Sequence, residues 1–126
     1  MSILDTHKVD FKILDRPDMP VTRYAAGDTI LQKGAPAKEM FLLRKGKVAI
    51  KVGDETVEEI GQGGIFGEMA LIDRSPRSAS AVAMEDCEVI PIDERLFIIL
   101  VQDAPYFALD VMRVLAERIR RMNQRL

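Results

Sequence analysis

The chain has 126 residues, 48% hydrophobic and 30% charged, enough to build one domain around its own core without metal or disulfide support. Eighteen basic against twenty acidic residues leave a formal charge of −2, which excludes a general attraction for nucleic acid. The lone cysteine, Cys87, excludes an internal disulfide and suits a reducing compartment. The opening MSILDTHKVDFK lacks a long apolar run, and no stretch approaches the ~20 apolar residues of a membrane span. The expectation is a soluble, cytoplasmic protein with no secretory leader and no membrane segment.

Residues 1–20 have weak periodicity and end in Arg16-Pro17-Asp18-Met19-Pro20. Two prolines so close together stop a helix and favour turns, so this stretch reads as an N-terminal arm with at most a short strand or helical turn. From Val21 the texture becomes β-rich. Thr29–Gln32, Met40–Arg44, Lys47–Val52 and Thr56–Ile60 are short runs rich in branched or aromatic residues, separated by glycine-containing turns such as Lys45-Gly46 and Gly53-Asp54. Ser78–Met84 and Cys87–Pro91 read as two more strands. Short strands at this spacing predict an antiparallel roll or sandwich, not a βαβ fold.

After Pro91 the pattern turns helical. Asp93 is a candidate N-cap for a short buried helix over Glu94–Gln102, and Pro105 suits the first turn of the next. From there nothing interrupts a helix to Leu126. Ala108, Met112, Leu115, Ile119, Met122 and Leu126 follow alternating spacings of four and three, a coiled-coil-like stripe. The predicted fold class is mainly β with C-terminal helices: a jelly-roll-like antiparallel β-roll (a double-stranded β-helix) over 21–92, then a short and a long α-helix over 93–126.

Between the strands lies GQGGIFGEMALIDRSPR, residues 61–77. Its glycines permit close backbone approach to a ligand. Glu68–Ile72 suits one helical turn beginning at Gly67, whose free amides would attract an anion. Arg77 follows as a permanently charged, bidentate donor for phosphate. Chemistry alone leaves two readings open: an anion site, or a glycine-rich loop whose arginine pairs with Asp73 or Glu68.

The run FGEMALIDRSPRSASAV, residues 66–82, resembles the phosphate-binding cassette of the cyclic-nucleotide-binding domain family, found in kinases, gated channels and catabolite-activator-type regulators. Gly67, Glu68, Ala70, Leu71, Pro76, Arg77 and Ala79 stand at the family's spacing. The segments Gly27–Val52 and Glu94–Leu126 resemble its opening strands and closing helices. The resemblance implies that Arg77 pairs with the cyclic phosphate and Glu68 accepts from the ribose 2′-hydroxyl. It implies further that the amides near Ala70 and Leu71, with Ser78, complete the cradle, and that Phe66 and Ile65 wall the pocket or pack beneath it. Met69 and Ala79 complete the expected ligand-binding set. Ser78 follows the arginine where threonine favours guanine and alanine is common in adenine binders, so cAMP is expected ahead of cGMP. The base is expected under the last helix, near Asn123, Met122 or Arg118; Met122 also fits a helix-packing position.

The inventory excludes chemistry of other kinds. With one histidine, His7, and one cysteine, neither a histidine metal site nor a nucleophilic triad assembles. No catalytic residue, metal or cofactor is expected, only cyclic nucleotide as ligand. Arg113, Arg118, Arg120, Arg121 and Arg125 make the last turns basic, which complements a helix C-terminus, so direct DNA binding is not expected. The partners anticipated are a second copy through the long helix and an unidentified effector protein. The competing reading is a degenerate, ligand-free member of the same fold serving as a dimerisation or docking domain.

Overall fold

The computed structural model describes residues 16–73 and 76–124, apart from the side chains of Met122 and Gln124. Most of the N-terminal arm, Arg125 and the stripe position Leu126 lie outside the described residues, as does the side chain of Met122. Among the described residues, eight strands form two antiparallel sheets. In the first the order is β1 (Thr22–Tyr24), β8 (Cys87–Asp93), β3 (Glu39–Lys45), β6 (Ile65–Phe66); in the second it is β2 (Thr29–Leu31), β7 (Ser80–Ala83), β4 (Val48–Val52), β5 (Glu55–Ile60). The helices are α1 (Met69–Ile72), α2 (Glu94–Asp103) and α3 (Tyr106–Gln124). The fold is therefore the expected β-roll followed by a short and a long helix.

Strand β3 explains how one thin chain supports two cores. Its run Met40-Phe41-Leu42-Leu43 is buried on both faces, because successive side chains point to opposite sides. Met40 and Leu42 join Ile65, Ile90 and Ile92 on the helix side, where they meet Leu100, Phe107, Val111 and Val114. Phe41 and Leu43 point inward with Phe66, Cys87 and Val89 to meet Val48, Ile60, Ala81 and Ala83 of the second sheet. Strand β8 divides its residues in the same alternating way. The inner core thus lies between the sheets, and the outer core glues the helices onto the first sheet.

Asp93 caps α2 as expected: its Oδ1 accepts from the Leu96 amide at 2.8 Å. The part of the arm that is described is tied down here too. Met19 is buried in the outer core, and Arg16 pairs with Asp18 and with Asp103 at the end of α2.

The long helix packs on the roll through a second apolar stripe that lies beside the predicted one. The buried residues are Phe107, Val111 and Val114, whereas Met112 and Ile119 of the expected stripe are each 57% exposed. Two apolar stripes run side by side on α3, one residue and so about 100° apart. The stripe that packs is the one with the aromatic: Phe107 meets Phe97 of α2 with ring centroids 5.4 Å apart. Extending that inner face by one step brings Arg118 over the roll. Helix α2 is likewise less buried than expected, with Leu100 enclosed but Ile98 and Ile99 turned outward.

Candidate functional site

A cavity of about 600 Å³ opens between the cassette, the second sheet and α3. This volume is ordinary for a small-molecule pocket. Cassette residues Phe66–Ala70 and Pro76–Ala81 form one wall. Ile50, Val52, Val57 and Leu31 form an apolar wall, and Arg118 and Arg121 reach in from the helix. Val57 and Glu58 both face the cavity although they are neighbours in a strand. The register explains this: Ile50 pairs with Glu58 but Lys51 with Thr56, so Val57 is the extra residue of a bulge.

Arg77 is fixed from several sides. Its amide donates to the Ala35 carbonyl at 3.0 Å, and its own carbonyl accepts from Gly34 at 2.7 Å. Its guanidinium donates from Nη1 to the Gly67 carbonyl at 3.0 Å and from Nη2 to the Glu39 carbonyl at 2.7 Å. It also lies 5.6 Å from the centroid of Phe41, whose ring stacks on Phe66. These partners satisfy N–H groups without neutralising the charge, in contrast to the carboxylate pairing that chemistry alone had left open. Burial lowers the Arg77 pKa from its ordinary value, against the upward pull of Glu39 and Glu68. An arginine remains cationic near neutrality even so.

Glu68 lines the same cavity and is 8% exposed, a carboxylate that must be compensated to sit so deep. Arg118 supplies the compensation, with Nη1 2.7 Å from Glu68 Oε1. The same guanidinium directs Nε to both oxygens of Glu58, at 3.2 and 3.3 Å, and Nη2 to the Ile65 carbonyl. Arg121 approaches Glu58 at 3.6 Å. Helix, cassette and strand β5 are thereby joined by one ionic cluster.

Comparison with known proteins bears on this arrangement directly. The family model described as cyclic nucleotide-binding domain matches residues 21–104. The chain belongs to the cyclic nucleotide-binding domain family. Among its curated relatives, the Cyclic AMP receptor protein of Thermus thermophilus is 34% identical over 102 residues, covering 77% of this chain and 47% of the relative. The chain therefore spans about half the length of that relative. Among solved structures, the Thermus thermophilus Catabolite Activator Protein superposes with a TM-score of 0.74 at 31% identity, over 85% of this chain and 53% of the other. A structure described as "A cyclic-GMP-dependent signalling pathway regulates bacterial phytopathogenesis" superposes with a TM-score of 0.70 at 27% identity, over 94% and 98% of the two chains.

Within this cyclic nucleotide-binding domain, the expected residues fall into two groups. Phe66, Gly67, Glu68, Met69, Ala70, Arg77, Ser78 and Ala79 all line the cavity. Leu71 does not; it turns away to pack against the outer core, and Ile65 is fully buried there. The Ala70 and Leu71 amides donate to the Gly67 and Glu68 carbonyls at 3.2 and 3.1 Å, so α1 begins at Met69 with Glu68 as its cap residue. Asn123, expected over the base, is exposed and lines no part of the cavity. Arg118, also considered for the base, has its guanidinium nitrogens directed to Glu58, Glu68 and Ile65.

Glu58, Arg121 and the apolar wall from β4 and β5 went unread in the sequence. The signal for Arg118 was present, since 107, 111, 114 and 118 repeat the spacing of four, three and four. For Val57 and Glu58 no signal existed, because a bulge shows only once the partner strand is in place. Among the described residues, no group of His, Cys, Asp and Glu could hold a metal ion. No helix among them is long and apolar enough to cross a membrane.

Proposed function

We propose that the cavity binds a cyclic nucleotide, cAMP ahead of cGMP, and that the chain is a regulatory module without catalytic activity of its own. One observation supports this above the rest: Arg77 stands in the cavity wall with two of its N–H groups held by neutral carbonyls and its charge left for an anion. In this reading Arg77 neutralises the cyclic phosphate, Ser78 adds a hydroxyl beside it, and Gly67 lets the backbone come close. Glu68 keeps acceptor capacity for a ribose hydroxyl while Arg118 compensates its charge. The base lies toward Ile50, Val52 and Val57, where apolar surface suits a heterocycle's faces.

The preference for cAMP rests on Ser78 after the arginine and on the name of the Thermus thermophilus relative. The structural neighbour from cyclic-GMP-dependent signalling keeps cGMP as the direct competitor. Ligand binding would act through α3, which closes one side of the cavity, by shifting an equilibrium between arrangements of that helix. The free Cys87 suits a reducing, cytoplasmic setting.

Thermal unfolding with and without each nucleotide tests the proposal. Ligand at ~100 times its dissociation constant stabilises the fold by about 2.7 kcal/mol, which raises the melting temperature by several degrees. A flat response to both nucleotides supports the competing reading, a ligand-free structural domain.

A further inference from the structure

We propose that Glu58 selects the base of the ligand, accepting one hydrogen bond from the 6-amino group of adenine. The inference rests on the cyclic-nucleotide reading above and deepens it at the base end of the cavity. There the wall is built by Ile50, Val52, Val57, Glu58, Arg118 and Arg121. Three of these side chains are apolar and the two arginines only donate. Among the described residues, Glu58 therefore carries the one side-chain acceptor on that wall. The bulge in β5 turns it into the cavity beside Val57, and the register sets it directly opposite Ile50. A base lying on Ile50 and Val57 brings its polar edge to this carboxylate.

The way Glu58 is held decides which base it suits. Arg118 Nε donates to both of its oxygens, at 3.2 and 3.3 Å, so one N–H already bridges the pair. Arg121 Nη1 adds an ion pair at 3.6 Å to Oε2. Guanine offers two neighbouring N–H groups, at N1 and N2, and suits a carboxylate whose oxygens are open to receive both. Glu58 cannot present that fork while Arg118 bridges it. Each oxygen keeps a further lone pair, which is enough for a single N–H. Adenine asks for no more, with its amino group at position 6 and no N–H on its six-membered ring. Guanine in the same place would leave a buried donor without a partner, which costs affinity. Glu58 also lies one guanidinium beyond Glu68, since Arg118 spans the two with Nε and Nη1. That order, Glu68 then Glu58, matches ribose then base.

The test compares three ligands by calorimetry on the full chain, on Glu58→Leu and on Glu58→Gln. The ligands are cAMP, cGMP and the cyclic phosphate of unsubstituted purine riboside, which lacks the 6-amino group. The unaltered chain should prefer cAMP to the unsubstituted analogue by about tenfold, the worth of a hydrogen bond to a charged acceptor. In Glu58→Leu that preference should fall to about twofold or less. Glu58→Gln keeps the shape and one carbonyl acceptor, so it preserves the fold and should give an intermediate ratio. If both variants weaken all three ligands by the same factor, Glu58 merely anchors Arg118 and the inference is wrong. It is equally wrong if the unaltered chain prefers cGMP and Glu58→Leu removes that preference, although the cavity would still be a cyclic-nucleotide site. If the unaltered chain binds none of the three, the site reading itself fails and takes the inference with it.

Discussion

Arg77 donates from Nη1 to the carbonyl oxygen of Gly67, 3.0 Å away and ten residues back along the chain. The closeness depends on Gly67 being glycine. Its φ is +71°, and a methyl group there would lie 2.8 Å from that same nitrogen and 3.2 Å from Leu31 Cδ1. Gly67→Ala should therefore cost about 1 kcal/mol in stability from the left-handed backbone alone. It should weaken cAMP binding far more, because the side chain that must move is Arg77. Urea denaturation paired with calorimetry separates the two effects, and a variant with full affinity would detach Gly67 from the site.

Gly46 holds the turn between β3 and β4 under a tighter constraint. At φ +104°, a methyl group would meet the Asp86 carbonyl oxygen at 2.6 Å and Cys87 Sγ at 2.7 Å. Backbone cannot yield as a flexible side chain does, so Gly46→Ala should destabilise by about 2–4 kcal/mol. Gly53 turns the next hairpin at φ +63° with open space around it, and Gly53→Ala should cost only about 1 kcal/mol. Denaturation midpoints of the two variants, measured side by side, check the ranking.

Cys87 sits in the inner core, 2% exposed, with its thiol directed to the carbonyls of Lys47 and Glu85. Burial raises its pKa, opposed by those two hydrogen bonds. The folded thiol holds its proton longer than the unfolded one, so its contribution to stability is complete below the unfolded pKa of about 8.5. That contribution declines as pH rises from there toward the folded value. Stability of the unaltered chain should fall across this alkaline range, and Cys87→Ala should flatten that part of the profile. Thiol reagents should also react slowly at about pH 8 until denaturant is added.

Much of the roll was legible because its strands announce themselves locally. Lys47–Val52 alternates, Met40–Leu43 is continuously apolar, and the hairpins between them carry glycine. The missing strands, Thr22–Tyr24 and Ile65–Phe66, are too short for any period; pairing defines them, as in Thr22 with Val89 and Phe41 with Phe66. The cassette was readable because its motif residues cluster within seventeen positions, 66–82. The opposite wall was not, since Glu58 meets Arg118 and Arg121, and Arg118 meets Glu68, only through the tertiary fold. On the long helix two apolar stripes run side by side, and only contact with Phe97 and β3 decides which of them packs on the roll.

In the proposed function, Arg77 makes this cavity a cyclic-nucleotide site. Calorimetric titration of the purified chain with cAMP, beside Arg77→Ala, tests it most directly. One saturable site per chain is expected, with affinity falling about 100-fold in the variant as a bidentate charged contact is lost. Equal affinity in the two proteins, or no heat of binding in either, would contradict it.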